Sequence, residues 1–291
     1  MEAQHVNGEH DSDLVDVLDV RPVAERRFEG VARADPRRPV VEGSQILAQA
    51  IVAAGRHTGG RRVVSGHMLF ARPAAAVQPV LFDLDELSSG RTFTALRTQA
   101  GQGPRRCAAG TLLLDAKAAD VIRHGVALAG VAAPGDCEPC DMGLAGREVR
   151  VLRGAYSDDP DAPVGPPVID AWVKYDGVPD DPSIHAGLLT HFTGHMSIAA
   201  ALRPHAGIGQ SEAHRTLSTA VNAIAISFHA DVRADRWMLY HHRSTFAGDG
   251  MTHSECNVHD EGGNLLASFY VDAMVRRFER KPPGSDERTV L

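Results

Sequence analysis

Three side chains in this sequence are candidates for a general base: His191, His195 and Glu42. His191 and His195 are four residues apart, so on a helix they share one face. An imidazole titrates near neutral pH and can take a proton from water. Two hydrogen-bonded histidines in a protein core fit the same spacing equally well. A metal pair is disfavoured because no acidic third ligand lies nearby in the sequence.

Glu42 stands immediately before a predicted helix whose first residues are Gly43 and Ser44. The first N–H groups of a helix have no intrahelical partner, and the helix dipole makes this end electropositive. The amides near Gly43 and Ser44 could therefore polarise a carbonyl oxygen beside a Glu42 base. The alternative is that Glu42 only complements the helix dipole.

Two arginines have a side chain suited to phosphate, because a guanidinium donates two parallel hydrogen bonds. Arg72 ends a predicted strand, where a structural ion pair is the alternative, and Arg91 lies in a glycine-containing surface turn. A single CxxC pair, Cys137 and Cys140, lies in a loop-like stretch, and no second pair follows at zinc-finger spacing. The sequence therefore predicts neither a metal nor a cofactor.

The first half of the chain has the elements that must position these residues. Residues 14–29 are predicted to form a short helix or turn that leads into a strand. Residues 46–54 form a helix that is apolar on nearly every face, and such a helix is buried. Strand-like segments follow as far as residue 117, with turn residues roughly every 8–12 positions, which is typical of antiparallel sheet.

The second half repeats this order. A strand is predicted at 171–175, a largely apolar helix at 185–202 that stops before Pro204, and further strands between 222 and 275. A repeat with a spacing of roughly 150 residues is too long for a solenoid and indicates a fused pseudo-dimer.

The domain boundaries follow from this repeat and from composition. We predict an N-terminal domain over 14–117 and a C-terminal domain over 166–278. The proline-, glycine- and aspartate-rich stretch 118–165 is predicted to be a linker, with a possible helix at its start, over 118–127. Residues 1–13 are predicted to be disordered and residues 279–291 to form a polar tail.

Composition limits the class of protein. The chain has 291 residues, 43% of them hydrophobic, which suffices for one large or two medium domains. A net charge of -7 with scattered basic residues disfavours non-specific binding to nucleic acid. The sequence has no apolar run of about 18 residues for a membrane span, and its acidic, polar start is unlike a signal peptide. We expect a soluble cytoplasmic protein.

Five segments, in order along the chain, resemble the motifs of type II acyl-CoA thioesterases, the TesB-like family. Residues 41–50 resemble FGGQxxxQA, residues 65–73 resemble SxHxxFxRPG, and residues 87–93 resemble LRxGRSF. In the second half, residues 228–240 resemble FHRPFRADEWLLY and residues 260–268 resemble DxxGxLVAS.

The resemblance implies an α+β fold, the double hot-dog. Two fused hot-dog domains each have a curved antiparallel sheet wrapped around a central helix. It also implies hydrolysis of an acyl-CoA thioester to a free acid and CoA. Family members use an Asp in the second central helix, a Thr or Ser on the following strand, and a Gln on the last strand to hold and activate water. These three positions fall on Gly194, Val221 and Val271 of this chain.

Because those three residues cannot hold water, three interpretations remain open. In the first, His195, Glu42 or His191 activates water for hydrolysis, and the substrate contacts a further set of residues: Gly43, Ser44, Arg91, Arg72 and Phe192. In the second, the protein binds an acyl-CoA or acyl-carrier group without hydrolysing it, or catalyses another reaction on the thioester. In the third, it is a structural or regulatory pseudo-enzyme. In each case we expect a homo-oligomer, a dimer or larger.

Overall fold

A computed structural model of the protein describes residues 14–34, 38–127, 130–143 and 145–278. The predicted disordered segment 1–13 and polar tail 279–291 lie outside these ranges. None of the helices in the described ranges is both long and apolar enough to cross a membrane.

Both halves contain a strand, a central helical segment and four further long strands in the same order, with additional short elements around them. The helices are α1 (Leu14–Leu18), α2 (Gly43–His57), α3 (Pro182–His191) and α4 (Ser197–Leu202). The strands of the first half are β1 (Arg21–Ala24), β2 (Arg27–Gly30), β3 (Val40–Val41), β4 (Arg62–Phe70), β5 (Ala74–Ala75), β6 (Val80–Ser89), β7 (Phe93–Gln102) and β8 (Arg105–Asp115). Those of the second half are β9 (Glu138–Pro139), β10 (Arg147–Val151), β11 (Val168–Tyr175), β12 (Leu217–Phe228), β13 (Met238–Gly248), β14 (Met251–Asp260) and β15 (Leu265–Arg277).

Helix α2 is buried along almost its whole length, as its apolar sequence predicts. Each fully buried Ile or Leu in it contributes about 1.5–3 kcal/mol relative to an exposed side chain. Its two glutamines anchor it to the chain before it: Gln45 donates to the Val31 carbonyl at 2.9 Å, and Gln49 donates to Val31 at 2.8 Å and to Val17 at 2.7 Å. These glutamines therefore have a structural role.

One antiparallel sheet runs through both halves, in the order β1-β2-β6-β7-β8-β4-β12-β15-β14-β13-β11-β10-β9. The halves join where β4 pairs with β12, with Ser65 opposite Ser227 and Leu69 opposite Ala223. From this join outward, β4-β8-β7-β6-β2 mirrors β12-β15-β14-β13-β11. The prediction of a double hot-dog with an internal repeat is confirmed.

The two central helices pack antiparallel against each other. Along the contact, Ser44 of α2 lies near Gly194, Val52 near Gly187, and Gly55 near Ser183. A Cβ added to Gly187 would lie 2.9 Å from the Val52 side chain, so glycine permits this close approach.

The prediction of one helix over 185–202 is wrong, because the helix is broken. Helix α3 ends at His191, a 3-10 turn covers Phe192–Gly194, and α4 begins at Ser197. Met196, just before α4, has a left-handed backbone with a φ of 63°. His191 and His195 therefore do not share a helix face, although their ring centroids are 5.9 Å apart.

The stretch 118–165 differs from a plain linker. The possible helix at 118–127 is wrong: these residues are neither helix nor strand. Val121 is 97% exposed and Ile122 81%, so a helix here would have no apolar surface to pack against. Further along, β10 pairs with β11, with Val149 opposite Val173, and extends the second half of the sheet.

Candidate functional site

A cavity of about 410 Å³ opens at the N-terminal end of α2. Its wall comes from four parts of the chain: the segment from Arg38 into the first turn of α2, the end of β4, the break between α3 and α4, and the start of β12. Both halves of the molecule therefore build the cavity.

Glu42 and His195 meet on this wall. The distance between Glu42 Oε2 and His195 Nε2 is 3.5 Å. Both atoms are buried and have no hydrogen-bond partner among the residues that the structure describes. Burial, assisted by the positive charge of Arg147, holds the pKa of His195 well below its ordinary value of 6.5. His195 is therefore neutral, and the contact is a carboxylate beside a neutral imidazole.

The start of α2 lies at the same place. Glu42 is the N-cap residue, with extended backbone and no side-chain capping bond. The first intrahelical bond is from the Ile46 N–H to the Glu42 carbonyl, at 3.2 Å. The N–H groups of Gly43 and Ser44 precede it, and both residues line the cavity. The positive end of the helix dipole therefore lies beside the Glu42 carboxylate.

Asn222 is a cavity residue that the sequence analysis missed. It is the extra residue of a β-bulge, since β12 shifts register against β15 between Val221 and Ala223. Its side-chain Oδ1 is buried, and no residue in the described ranges forms a hydrogen bond with it. In the sequence, the feature that could have identified Asn222 is that it is the single amide in the apolar stretch 220–226.

His214 also lines the cavity and was missed. Its Nε2 lies 3.3 Å from Thr219 Oγ1. Burial and the nearby charge of Arg38 lower the pKa of His214 to about 4, so the ring is neutral and serves as a hydrogen-bonding group.

The three positions implied by the family resemblance lie in different surroundings. A Cβ added to Gly194 would lie 2.5 Å from Ser44 Oγ and 3.0 Å from Ser44 Cβ, so Ser44 fills the space that a side chain there would need. Val221 lines the cavity. Val271 is fully buried and is not part of the wall.

The remaining predicted residues divide into two groups. Arg72 is exposed on the wall of the cavity. His191, Phe192 and Arg91 do not line it. His191 is buried, which lowers its pKa to about 3. The Phe192 ring packs behind the wall, 5.2 Å from the His195 ring, and Arg91 is exposed in the turn between β6 and β7.

The opposite end of the helix pair is a natural comparison for the cavity. Asp181 precedes α3 as Glu42 precedes α2, and Ser183 contacts Gly55 as Ser44 contacts Gly194. Arg56, which follows Gly55, takes the place that His195 has after Gly194.

At this second end the carboxylate of Asp181 already has interaction partners. Asp181 accepts a capping bond from the Ser183 N–H at 2.8 Å and lies 3.6 Å from Arg56 Nη2. Arg56 also pairs with Asp19 at 2.6 Å. The two ends therefore share one construction. Asp181 and Arg56 are hydrogen-bonded, whereas Glu42 Oε2 and His195 Nε2 have no hydrogen-bond partner among the described residues.

Comparison with known proteins places this architecture in a family. Residues 33–114 match the acyl-CoA thioesterase N-terminal domain, and residues 133–270 match the acyl-CoA thioesterase C-terminal domain. Together the matches cover well over half of the chain. The chain is also 24% identical over 283 residues to Acyl-CoA thioesterase 2 of Haemophilus influenzae, an alignment that covers 91% of this chain and 97% of that protein.

Solved structures agree on the fold. The tesB protein of Mycobacterium avium subspecies paratuberculosis matches with a TM-score of 0.76 and 23% identity, covering 90% of this chain and 98% of that one. An Alicyclobacillus acidocaldarius protein described as having a hot-dog fold matches with a TM-score of 0.71 and 18% identity, covering 90% and 97%. The chain therefore belongs to the acyl-CoA thioesterase family.

Proposed function

We propose that the protein hydrolyses acyl-CoA thioesters to a free acid and CoA in this cavity, with Glu42 as the general base. The observation that carries the proposal is the pair of buried, unpartnered atoms, Glu42 Oε2 and His195 Nε2, beside the start of α2. Buried polar atoms nearly always have a partner, so unpartnered ones on a cavity wall indicate a place for a ligand or water.

The proposed reaction uses only groups of this chain. Glu42 takes a proton from a water molecule as the water oxygen bonds to the thioester carbon. The carbonyl electrons move to its oxygen, and the N–H groups of Gly43 and Ser44 stabilise the oxyanion. The carbon–sulfur bond then breaks, and the proton passes from Glu42 to the departing thiolate, which gives the acid and CoA. No cofactor is needed, since coenzyme A enters as part of the substrate.

His195 has a positioning role in this scheme. Its ring is neutral at the pH of the reaction, because burial lowers its pKa, so it does not neutralise the Glu42 carboxylate. Its Nε2 lies 3.5 Å from Glu42 Oε2 and limits the orientations of the carboxylate.

Arg72 suits the charged end of the substrate. It is exposed on the cavity wall, where its guanidinium could contact a phosphate of CoA. The thioester would then lie deeper, towards the buried atoms of Glu42 and His195.

A second candidate function is binding of an acyl-CoA or acyl-carrier group without hydrolysis. Gly194, Val221 and Val271 favour it, because none of these residues can hold a water. The first proposal is preferred because Glu42 supplies a carboxylate on the same cavity wall as Gly194 and Val221.

We also propose that the protein works in the cytoplasm, as a homo-oligomer. Cys107, Cys137 and Cys256 are free thiols, as expected in a reducing compartment. A fused pair of hot-dog domains corresponds to one dimer, and the outer strands β1 and β9 leave sheet edges for further association. Light scattering after gel filtration measures the molar mass of the protein in solution, and the mass of a monomer would contradict the proposed homo-oligomer.

The deciding experiment is release of CoA from short-, medium- and long-chain acyl-CoA by the purified protein. We expect Glu42→Gln to lower kcat by about 10²–10⁴-fold, the usual contribution of a general base. Glu86→Gln is the matched control, because Glu86 forms an exposed pair with His57 at 2.9 Å, and this variant should keep full activity. Binding of acyl-CoA without release of CoA by the wild-type protein would favour the second candidate.

A further inference from the structure

The two paired central strands, β4 and β12, carry the same irregularity. Strand β4 shifts register against β8 between Val63 and Ser65, and β12 shifts against β15 between Val221 and Ala223. The extra residue is Val64 in one strand and Asn222 in the other. Each lies six residues before the phenylalanine that ends its strand. The bulge is therefore part of the repeated fold, and only its residue type differs.

The difference in type has a consequence at the cavity. Asn222 lines the cavity, and its Oδ1 is buried with no hydrogen-bond partner in the described part of the chain. The repeated backbone accepts an apolar residue at this position, as Val64 shows, so the fold does not require an amide. Leaving a buried amide oxygen unpaired is unfavourable, which makes a ligand or water the expected partner.

We propose that Asn222 orients the attacking water of the reaction described above, together with Glu42; this inference rests on the proposed function. A water that donates one hydrogen to Glu42 and the other to Asn222 Oδ1 has a lone pair free to attack the thioester carbon. The two acceptors come from different elements, α2 and β12, and both line the one cavity. Asn222 thereby supplies the orienting group that Val221 lacks.

The test compares Asn222→Ala and Asn222→Val with Val64→Ala, in steady-state hydrolysis of an acyl-CoA. Removal of one orienting hydrogen bond should lower kcat by about 10²-fold with KM within about twofold of the wild-type value. Val64→Ala, the same kind of change in the equivalent bulge, should leave both constants unchanged. Asn222→Val introduces the residue that the other bulge already accommodates, so it guards against a folding defect.

One further measurement separates a role of Asn222 in orienting the water from a role in maintaining the fold. A non-hydrolysable thioether analogue of acyl-CoA should bind to Asn222→Ala as tightly as to the wild type, because Asn222 contacts the attacking water and not the acyl-CoA.

The outcomes distinguish this inference from the proposed function. Unchanged kcat in both Asn222 variants, or a rise in KM alone, overturns the role of Asn222. If Glu42→Gln is inactive in the same assay, the proposed function still stands. Full activity of Glu42→Gln overturns the proposed mechanism and the shared water with it. A wild-type protein that hydrolyses no acyl-CoA overturns both.

Discussion

The contact between Ser44 and Gly194 predicts a strong coupling between these two positions. An alanine at position 194 would bring its Cβ within 2.5 Å of Ser44 Oγ and 3.0 Å of Ser44 Cβ. Such overpacking costs about 1–3 kcal/mol. Gly194 does not need a positive φ, so the alanine itself should add about 0.4–1 kcal/mol by restricting the unfolded chain. The net expectation for Gly194→Ala is a loss of about 1–2 kcal/mol in the free energy of unfolding.

The same alanine has room once Ser44 is removed. In a Ser44→Gly background, Gly194→Ala should therefore be neutral or stabilising by up to about 1 kcal/mol. The difference between the two backgrounds is the coupling energy, which we expect to be about 1–3 kcal/mol.

Urea denaturation of the four proteins measures this coupling, provided that the m value stays constant. The pair Gly55 and Ser183 is the internal control, because a Cβ at Gly55 also meets Ser183 but lies away from the cavity wall. It should show a coupling of the same sign. If Gly194→Ala changes the free energy of unfolding equally with Ser44 and with Gly at position 44, the close contact relaxes without cost. This result would refute the conclusion that Ser44 fills the space of a side chain at position 194.

Two other predictions concern pH and charge. Burial lowers the pKa values of His191 and His242 to about 3 from 6.5, so both are neutral in the folded protein and gain protons on unfolding below pH 6.5. The free energy of unfolding should therefore fall by about 3 kcal/mol for the pair between pH 6.5 and pH 5; urea midpoints that stay constant over this range would contradict it. Arg72→Ala should raise KM for acyl-CoA several-fold at low salt without changing kcat, and should leave an acyl-pantetheine substrate unaffected, because that substrate lacks the nucleotide phosphates. An equal effect on both substrates would remove Arg72 from phosphate binding.

Local sequence patterns predicted the regular elements well. The apolar stretch within α2 and the turn residues between strands are short-range signals, and β14 lies within the stretch 222–275, where further strands were expected. The break after His191 was not predicted, because the close contact that accompanies it, between Gly194 and Ser44, involves residues far apart in the chain.

The site was only partly predictable for the same reason. Glu42 and His195 were both candidates by residue type, but their approach to 3.5 Å depends on how two helices from different halves pack. Asn222 was missed because a bulge is a property of the pairing between β12 and β15 and not of one strand. The family motif placed the Thr or Ser position on Val221, whose side chain cannot hold water, and gave no indication that the neighbouring Asn222 lines the cavity.

Because β4 pairs with β12, the cavity is complete only when both halves of the chain are folded and docked together. Residues 65–69 pair with residues 223–227, which lie about half the length of the chain away in the sequence. Contacts between residues so far apart form slowly. Because α2 belongs to one half and Asn222 to the other, a partly folded species with undocked halves has no complete cavity. A ligand bound there stabilises only the fully docked chain, by RT ln(1 + [L]/Kd). Saturating ligand should therefore shift the unfolding of both halves by the same free energy, as one transition.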